Sequence, residues 1–180
     1  MKAYNIKTER LGLRNWLESD VIPFEAMCQD PEVMRYFPNT LTKKEVQVAV
    51  DNFRKHCNDF GYTYFAVDEL STGKFIGFTG LKLQTFKSEY TPSVDIGWRL
   101  AKSAWGKGYA TEAAQACLDA AFKKFNLNEV YSYCPEINKA SEAIMKKIGM
   151  ERIGTFTHPM VANDSRLKHC LIYRKSRAQA

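Results

Sequence analysis

The 180 residues predict one α/β domain around a mixed sheet whose first half is largely antiparallel. Three observations carry this prediction. Strand-like and helix-like segments follow one another in the order β-α-α-β-β-β-α-β-α-β-β. Two strand runs, "YTYFAVDE" and "KFIGFTGLKL", are joined by "LSTG", a hairpin-type turn. A glycine-rich turn, "WGKGY", follows the strand "SVDIGWRL" and opens an alanine-rich helix.

The elements are justified in chain order. "YNIKTERLGLRNW" has strand character and runs into "ESDVIPFEAM", where Ser19 or Asp20 is placed to cap a helix. "DPEVMRYF" reads as a short helical turn with Pro31 at its first position. In "TKKEVQVAVDNFRKHC", Thr42 and Glu45 form a capping box, and Val46, Val50 and Phe53 fall on one stripe. The hairpin and "SVDIGWRL" come next. The alanine-rich helix is expected to run to about Phe125, with Ala114, Leu118, Ala121 or Phe122, and Phe125 facing inward. "EVYSYC" is a strand, "NKASEAIMKKIG" a helix, and "ERIGTF" and "LKHCLIYR" the closing strands.

With 45% hydrophobic and 26% charged residues, the composition excludes a low-complexity chain. There is no run of about eighteen apolar residues for a membrane span, and the opening "MKAYNIKTERLGLRNW" is too polar for a signal peptide. The five cysteines (Cys28, Cys57, Cys117, Cys134, Cys170) are scattered, with no CxxC pair and no histidine at ligand spacing. They read as reduced thiols of a cytoplasmic protein, and no metal site is expected. The net charge of +6 is uneven: residues 1–120 carry 15 basic and 15 acidic side chains, residues 121–180 carry 11 against 5. The last third therefore reads either as a solvated basic face with a basic tail from about residue 175, or as a surface that attracts an anion.

The helix opening at Gly108 has no Ser, Thr, Asp or Asn to cap its first turn. Its free N–H groups and dipole make an anion seat, and the flanking glycines let a ligand approach the backbone. No GxxxxGK[ST] or GxGxxG motif is present, which removes the P-loop and dinucleotide-fold readings.

The block from Val94 to Met150 resembles the GNAT superfamily of acetyl-CoA-dependent N-acetyltransferases. The family's [RQ]-x-x-G-x-[GA] loop falls on Trp105, Gly106, Lys107, Gly108, Tyr109 and Ala110, with Trp in place of Arg or Gln. "WGKGYATEA", the opening "TERLGLRNW", "NKASEAIMKKIGM" and the closing "HP…LKHCLIYR" are similar to the RimJ/RimL-like branch, the ribosomal-protein N-acetyltransferases and their relatives. The resemblance implies that "SVDIGWRL" and "EVYSYC" are parallel neighbours that splay apart, within helices on both faces of the sheet. The pantetheine arm of acetyl-CoA would fill the gap, bonded to backbone groups of Trp98, Arg99 and Leu100. Amides from Gly106 to Thr111 would hold the pyrophosphate, and Lys107 and the basic last third would attract the phosphates.

Acetyl transfer to an amine needs a neutral amine, a stabilised oxyanion and a proton for the departing thiolate. A backbone N–H near Trp98 is placed to polarise the thioester carbonyl. By resemblance, Ser141 approaches the sulfur as a proton or hydrogen-bond donor; its plain alternative is a polar residue in a first turn. Asn138 is a helix N-cap that also suits a contact to pantetheine or substrate. Three groups compete as base: Asp95, whose structural alternative is an ion pair with Arg99; His158; and Glu136 through water; the alternative is no dedicated base, since a site that holds the amine neutral would suffice. Cys134 lies near the expected splay, yet no His or Asp adjoins it in sequence to make it a nucleophile. Trp16, Tyr36, Phe37 and Tyr62 read as core or acceptor-pocket wall rather than a base-stacking platform.

The reading is direct acetyl transfer to a primary amine. The branch resemblance favours a protein N-terminal α-amine. A polyamine, amino acid, antibiotic or toxin amine is the alternative, as is a non-catalytic CoA-binding or ribosome-associated module. Nucleic acid is expected only indirectly, through a ribosome, and a homodimer only by resemblance.

Overall fold

Alternation along the strands divides the apolar side chains between two faces of one sheet, and each face is covered by helices. The computed structural model describes residues 3–177. In chain order the elements are β1 (Ile6–Lys7), β2 (Leu11–Arg14), α1 (Val21–Gln29), α2 (Lys43–Phe60), β3 (Tyr64–Glu69), β4 (Lys74–Gln84), β5 (Ser93–Leu100), α3 (Tyr109–Lys123), β6 (Glu129–Pro135), α4 (Lys139–Lys147), β7 (Glu151–Thr157) and β8 (His169–Ser176). The sheet order is β1-β2-β3-β4-β5-β6-β8-β7, antiparallel throughout except for the β5–β6 pair.

One core lies under α3. There Ala113, Ala114, Cys117, Leu118, Ala121 and Phe122 pack on Leu11, Leu13, Phe65, Val67, Leu81 and Ile96. Small residues on this helix let it lie close to the sheet. The other core lies under α1 and α2. Trp16 sits at its centre, 4.8 Å from the Phe24 ring and 5.4 Å from the Phe53 ring, with Val46, Val50 and Phe78 around it. Trp16 and Tyr62 are thus core residues. The Thr42–Glu45 capping box forms at the start of α2. The LSTG turn joins β3 to β4.

Three expectations are corrected. The single opening strand is a hairpin, because residues 8–10 turn outward to meet α3: Thr8 Oγ1 and the Arg10 amide both donate to the Glu112 carboxylate. Neither Ser19 nor Asp20 caps α1 with its side chain, since the Asp20 carboxylate is taken by Arg14 and by the Leu17 amide. The basic tail begins later than residue 175. Lys175 and Ser176 belong to β8, and Arg177 donates to the Leu127 carbonyl. The remainder of that tail lies outside the described residues.

Candidate active site

The parallel pairing of β5 with β6 is a single register pair, Asp95 opposite Tyr131. Just past it the Ser132 hydroxyl donates to the Ile96 carbonyl at 2.9 Å, which closes the apex of a fork. Beyond the apex β5 stays with β4, pairing Trp98 with Thr79 and Leu100 with Gly77. β6 stays with β8, pairing Cys134 with Leu171. The strands diverge around a cavity of about 760 Å³, with Trp98, Arg99 and Leu100 on one wall and Tyr133, Cys134 and Pro135 on the other.

The glycine loop closes one end of this cavity. Gly106 and Gly108 have φ of +75° and +79°, and an added Cβ at Gly106 would meet nothing, so backbone conformation rather than space requires glycine here. Gly108 is the N-cap of α3 and no side chain caps that helix. Gly106, Gly108, Tyr109, Ala110 and Thr111 all line the cavity. The Trp105 indole donates to the Leu100 carbonyl at 2.8 Å and ties the loop to the end of β5. From outside, Arg10 donates to the Lys107 carbonyl at 3.0 Å and pairs with Glu112 at 2.6 Å. Lys107 itself does not line the cavity; its ammonium faces Glu69 at 3.9 Å.

The cavity also gathers Asp95, Asn138, Ser141 and His158. Asn138 caps α4 by accepting from the Ser141 amide at 3.1 Å, which fixes both residues at the wall. Asp95 does not pair with Arg99. Four residues along a strand span about 13 Å, and the Tyr64 ring covers Gly97 between them; a Cβ at Gly97 would meet that ring at 3.1 Å. The Tyr64 hydroxyl instead donates to the Asp95 carboxylate at 2.7 Å, and Gln84 Nε2 adds a bond at 2.9 Å. Burial pushes the Asp95 carboxyl up to about 6, against the pull of these donors. Burial, then the Asp95 charge, holds the Tyr64 phenol well above its ordinary value.

His158 Nδ1 accepts from the Met160 amide at 3.2 Å. A neutral ring bonded this way carries its proton on Nε2. Burial lowers its pKa below the ordinary value, which keeps the ring neutral. It packs at a tilt among the rings of Phe86, Tyr133 and Phe156.

Sequence reasoning missed Tyr64, Gln84 and Tyr133. Tyr133 is a cavity-wall phenol whose pKa is raised by burial and then by Asp95, so it stays protonated. The signal available was Gly97 inside an otherwise bulky strand, which marks a close approach by another group.

Other candidates separate cleanly. Glu136 is exposed and outside the cavity wall. The Cys134 thiol is pushed up to about 12, chiefly by burial, and its Sγ lies 3.7 Å from the Asn138 carbonyl, which leaves it a poor nucleophile. Tyr36 and Phe37 line the cavity. None of the described lysines and arginines after 121 does; Lys139 and Lys146 pair with Glu142, Arg174 with Glu129, and Lys175 donates to the Ile148 carbonyl. Among the described residues no cluster of three metal-ligating side chains exists, and no helix is long and apolar enough to cross a membrane.

Comparison with known proteins agrees with this geometry. A family model described as an acetyltransferase (GNAT) domain matches residues 10–151. The chain is 34% identical over 152 residues to YnaD of Bacillus subtilis, an uncharacterized N-acetyltransferase, covering 84% of this chain and 85% of that one. The crystal structure of a GNAT-family acetyltransferase from Bacillus anthracis superposes with a TM-score of 0.79 at 27% identity, covering 95% of this chain and 97% of the other. A RimL ribosomal L7/L12 α-N-protein acetyltransferase solved with coenzyme A shares the fold at TM-score 0.76 and 16% identity, covering 96% and 97%. The family model and these relatives lead to one conclusion: the chain belongs to the GNAT acetyltransferases, enzymes that draw their acetyl group from acetyl-CoA.

Proposed function

We propose that this enzyme seats acetyl-CoA along the β5–β6 fork and passes the acetyl group directly to a primary α-amine entering from the α1–α2 face. A protein N-terminal amine of the RimJ/RimL-like kind is the favoured acceptor. The observation that carries the reading is that the uncapped N-terminus of α3 and the unpaired edge of β5 open onto one cavity. Amides from Gly106 to Thr111 receive the pyrophosphate, and backbone groups of Trp98 and Leu100, on the side of β5 turned away from β4, receive the pantetheine amides; the expected share of the Arg99 backbone falls away, because its carbonyl is turned to Gly77 of β4. The Lys107 side chain points elsewhere, so its share is limited to its backbone.

The amine attacks the thioester carbonyl, whose developing oxyanion lies near the Trp98 amide. As the C–S bond breaks, the thiolate takes a proton from the Ser141 or Tyr133 hydroxyl. The proton lost by the amine goes to Asp95. With a carboxyl pKa of about 6, Asp95 is ionised at neutral pH yet basic enough to accept it. His158 is a weaker base, since its Nδ1 lone pair is engaged and its Nε2 already carries the proton.

Calorimetric titration of acetyl-CoA into the wild type and Gly108→Trp tests the seat. A side chain at φ +79° is strained by about 1–2 kcal/mol, and its bulk fills the phosphate position. The expected result is a dissociation constant raised roughly tenfold or more. Unchanged affinity would refute the loop assignment.

A further inference from the structure

Arg99 projects from β5 on the same face as Asp95, toward α1 and α2 and away from α3, and it lines the cavity. Its guanidinium stacks on the Phe37 ring at 3.8 Å and stands 5.4 Å from the Phe78 ring. One N–H reaches the Cys28 thiol at 3.4 Å, a weak acceptor. Its Nε is shielded from solvent and has no hydrogen-bond partner. Among the described residues no carboxylate lies within ion-pairing distance. Asp95 is held by Tyr64 and Gln84, and the one acidic residue of the neighbouring wall, Glu32, is paired with Lys102. The same wall adds a second cation, Arg35, over Tyr36. Stacking offsets only part of the penalty for withdrawing a guanidinium from water. A planar fork left so under-satisfied matches a carboxylate.

We infer that Arg99 is a specificity-determining residue that binds a carboxylate on the acceptor, so the amine acetylated by this enzyme is one that also bears an acid group. The assignment rests on the transferase reading above. The acid has two sources: the α-carboxylate of a free amino acid, or an Asp or Glu side chain near a peptide N-terminus. Both present a carboxylate a few bonds from a primary amine. Arg99 then holds the acid group of the acceptor in the layer under α1 and α2, on the cavity wall it shares with Phe37. A polyamine fits poorly, because it would bring further positive charge to Arg99 and Arg35.

The test measures kcat/KM at saturating acetyl-CoA for pairs of amines that differ only as carboxylate and carboxamide. One arm uses free aspartate and glutamate with their α-amides, the other short peptides with Asp or Asn as second residue. The wild type is expected to prefer the acid roughly 10- to 100-fold in one arm, and that arm identifies the source. Arg99→Gln should bring the ratio close to one, and Arg99→Lys should restore part of it. Equal turnover of acid and amide by the wild type overturns the inference and leaves the transferase reading intact. A ratio that survives Arg99→Gln while acetyl-CoA affinity falls also overturns it, by assigning the cation to a phosphate of the cofactor. Acetyl-CoA binding without acetylation of any amine overturns the transferase reading itself.

Discussion

Arg14 and Arg99 both carry a guanidinium into the layer between the sheet and the α1–α2 helices, and the fold treats them in opposite ways. Arg14 is met by two carboxylates and a carbonyl. Its Nε and Nη2 donate to Asp68 at 2.8 Å, Nη1 and Nη2 donate to Asp20 at 2.6 and 2.9 Å, and Nη1 also reaches the Asn15 carbonyl. All three side chains are almost wholly buried. Arg99 has two aromatic faces and a thiol. The first arrangement is complete without a ligand, so it belongs to the architecture: it pins β2, β3 and the turn before α1 together. The second is incomplete without one. A half-buried charge that the chain declines to neutralise is a better pointer to a binding site than a fully buried, neutralised one.

The sharpest way to break the comparison is Arg14→Met, which leaves two buried carboxylates facing each other. Removing one member of such a cluster is expected to destabilise by about 3–5 kcal/mol, read as a lowered urea midpoint. A loss below about 1 kcal/mol would mean that the cluster is no more structural than a surface pair.

Asp95 stands between the two cases, since its partners are neutral donors. Its folded pKa of about 6 lies above the ordinary carboxyl value of 3.8. Between about pH 4 and 6 the folded chain therefore keeps a proton that the unfolded chain has released. Stability should fall as pH rises through that window, by up to about 3 kcal/mol, and stay level above it. Asp95→Asn should remove the slope, gaining on the wild type between pH 4 and 7 in urea titrations at each pH. The same variant should abolish the rise of kcat/KM near pH 6. Survival of that rise would give the base role to another group.

Arg99→Met is expected to do the reverse of Arg14→Met. No ion pair is lost and a charge leaves a shielded site, so the ligand-free protein should gain about 1 kcal/mol. A lowered melting temperature would make Arg99 a structural residue like Arg14.

This contrast also marks how far the sequence could be read. The element order is legible because periods of 2 and 3.6, the Thr42–Glu45 box and the Gly-bearing turns are local signals, and the structure follows them within a few residues. The glycine loop before α3 is legible for the same reason: a missing cap and two glycines lie within six residues. Arg14 and Arg99 look alike in sequence, each in a strand among apolar neighbours. The acids that distinguish them are 6 and 54 residues from Arg14. Asp95 finds Tyr64 31 residues away, across the intervening strand β4. Long-range pairing of this kind is decided by sheet register, which a strand pattern does not disclose. The break between β1 and β2 was hidden likewise, because its cause is Glu112, more than a hundred residues on.

Arg10 and Glu112 supply the smallest expected effect on stability and the last point of contrast. Their ion pair has side-chain exposures of 45% and 20%, and such pairs contribute about 1 kcal/mol or less. Their position gives them another task. Glu112 lies in the first turn of α3, where its charge would repel an incoming pyrophosphate; Arg10 and Thr8 neutralise and tether it. Arg10 also holds the Lys107 carbonyl, which fixes the backbone between the two left-handed glycines. Arg10→Ala should therefore weaken acetyl-CoA binding roughly fivefold, through a less ordered loop and an uncompensated carboxylate, while the urea midpoint moves little. Calorimetry and denaturation on the same preparation separate the two effects. Loss of stability with unchanged affinity would place this pair with Arg14, as architecture that happens to lie beside the loop.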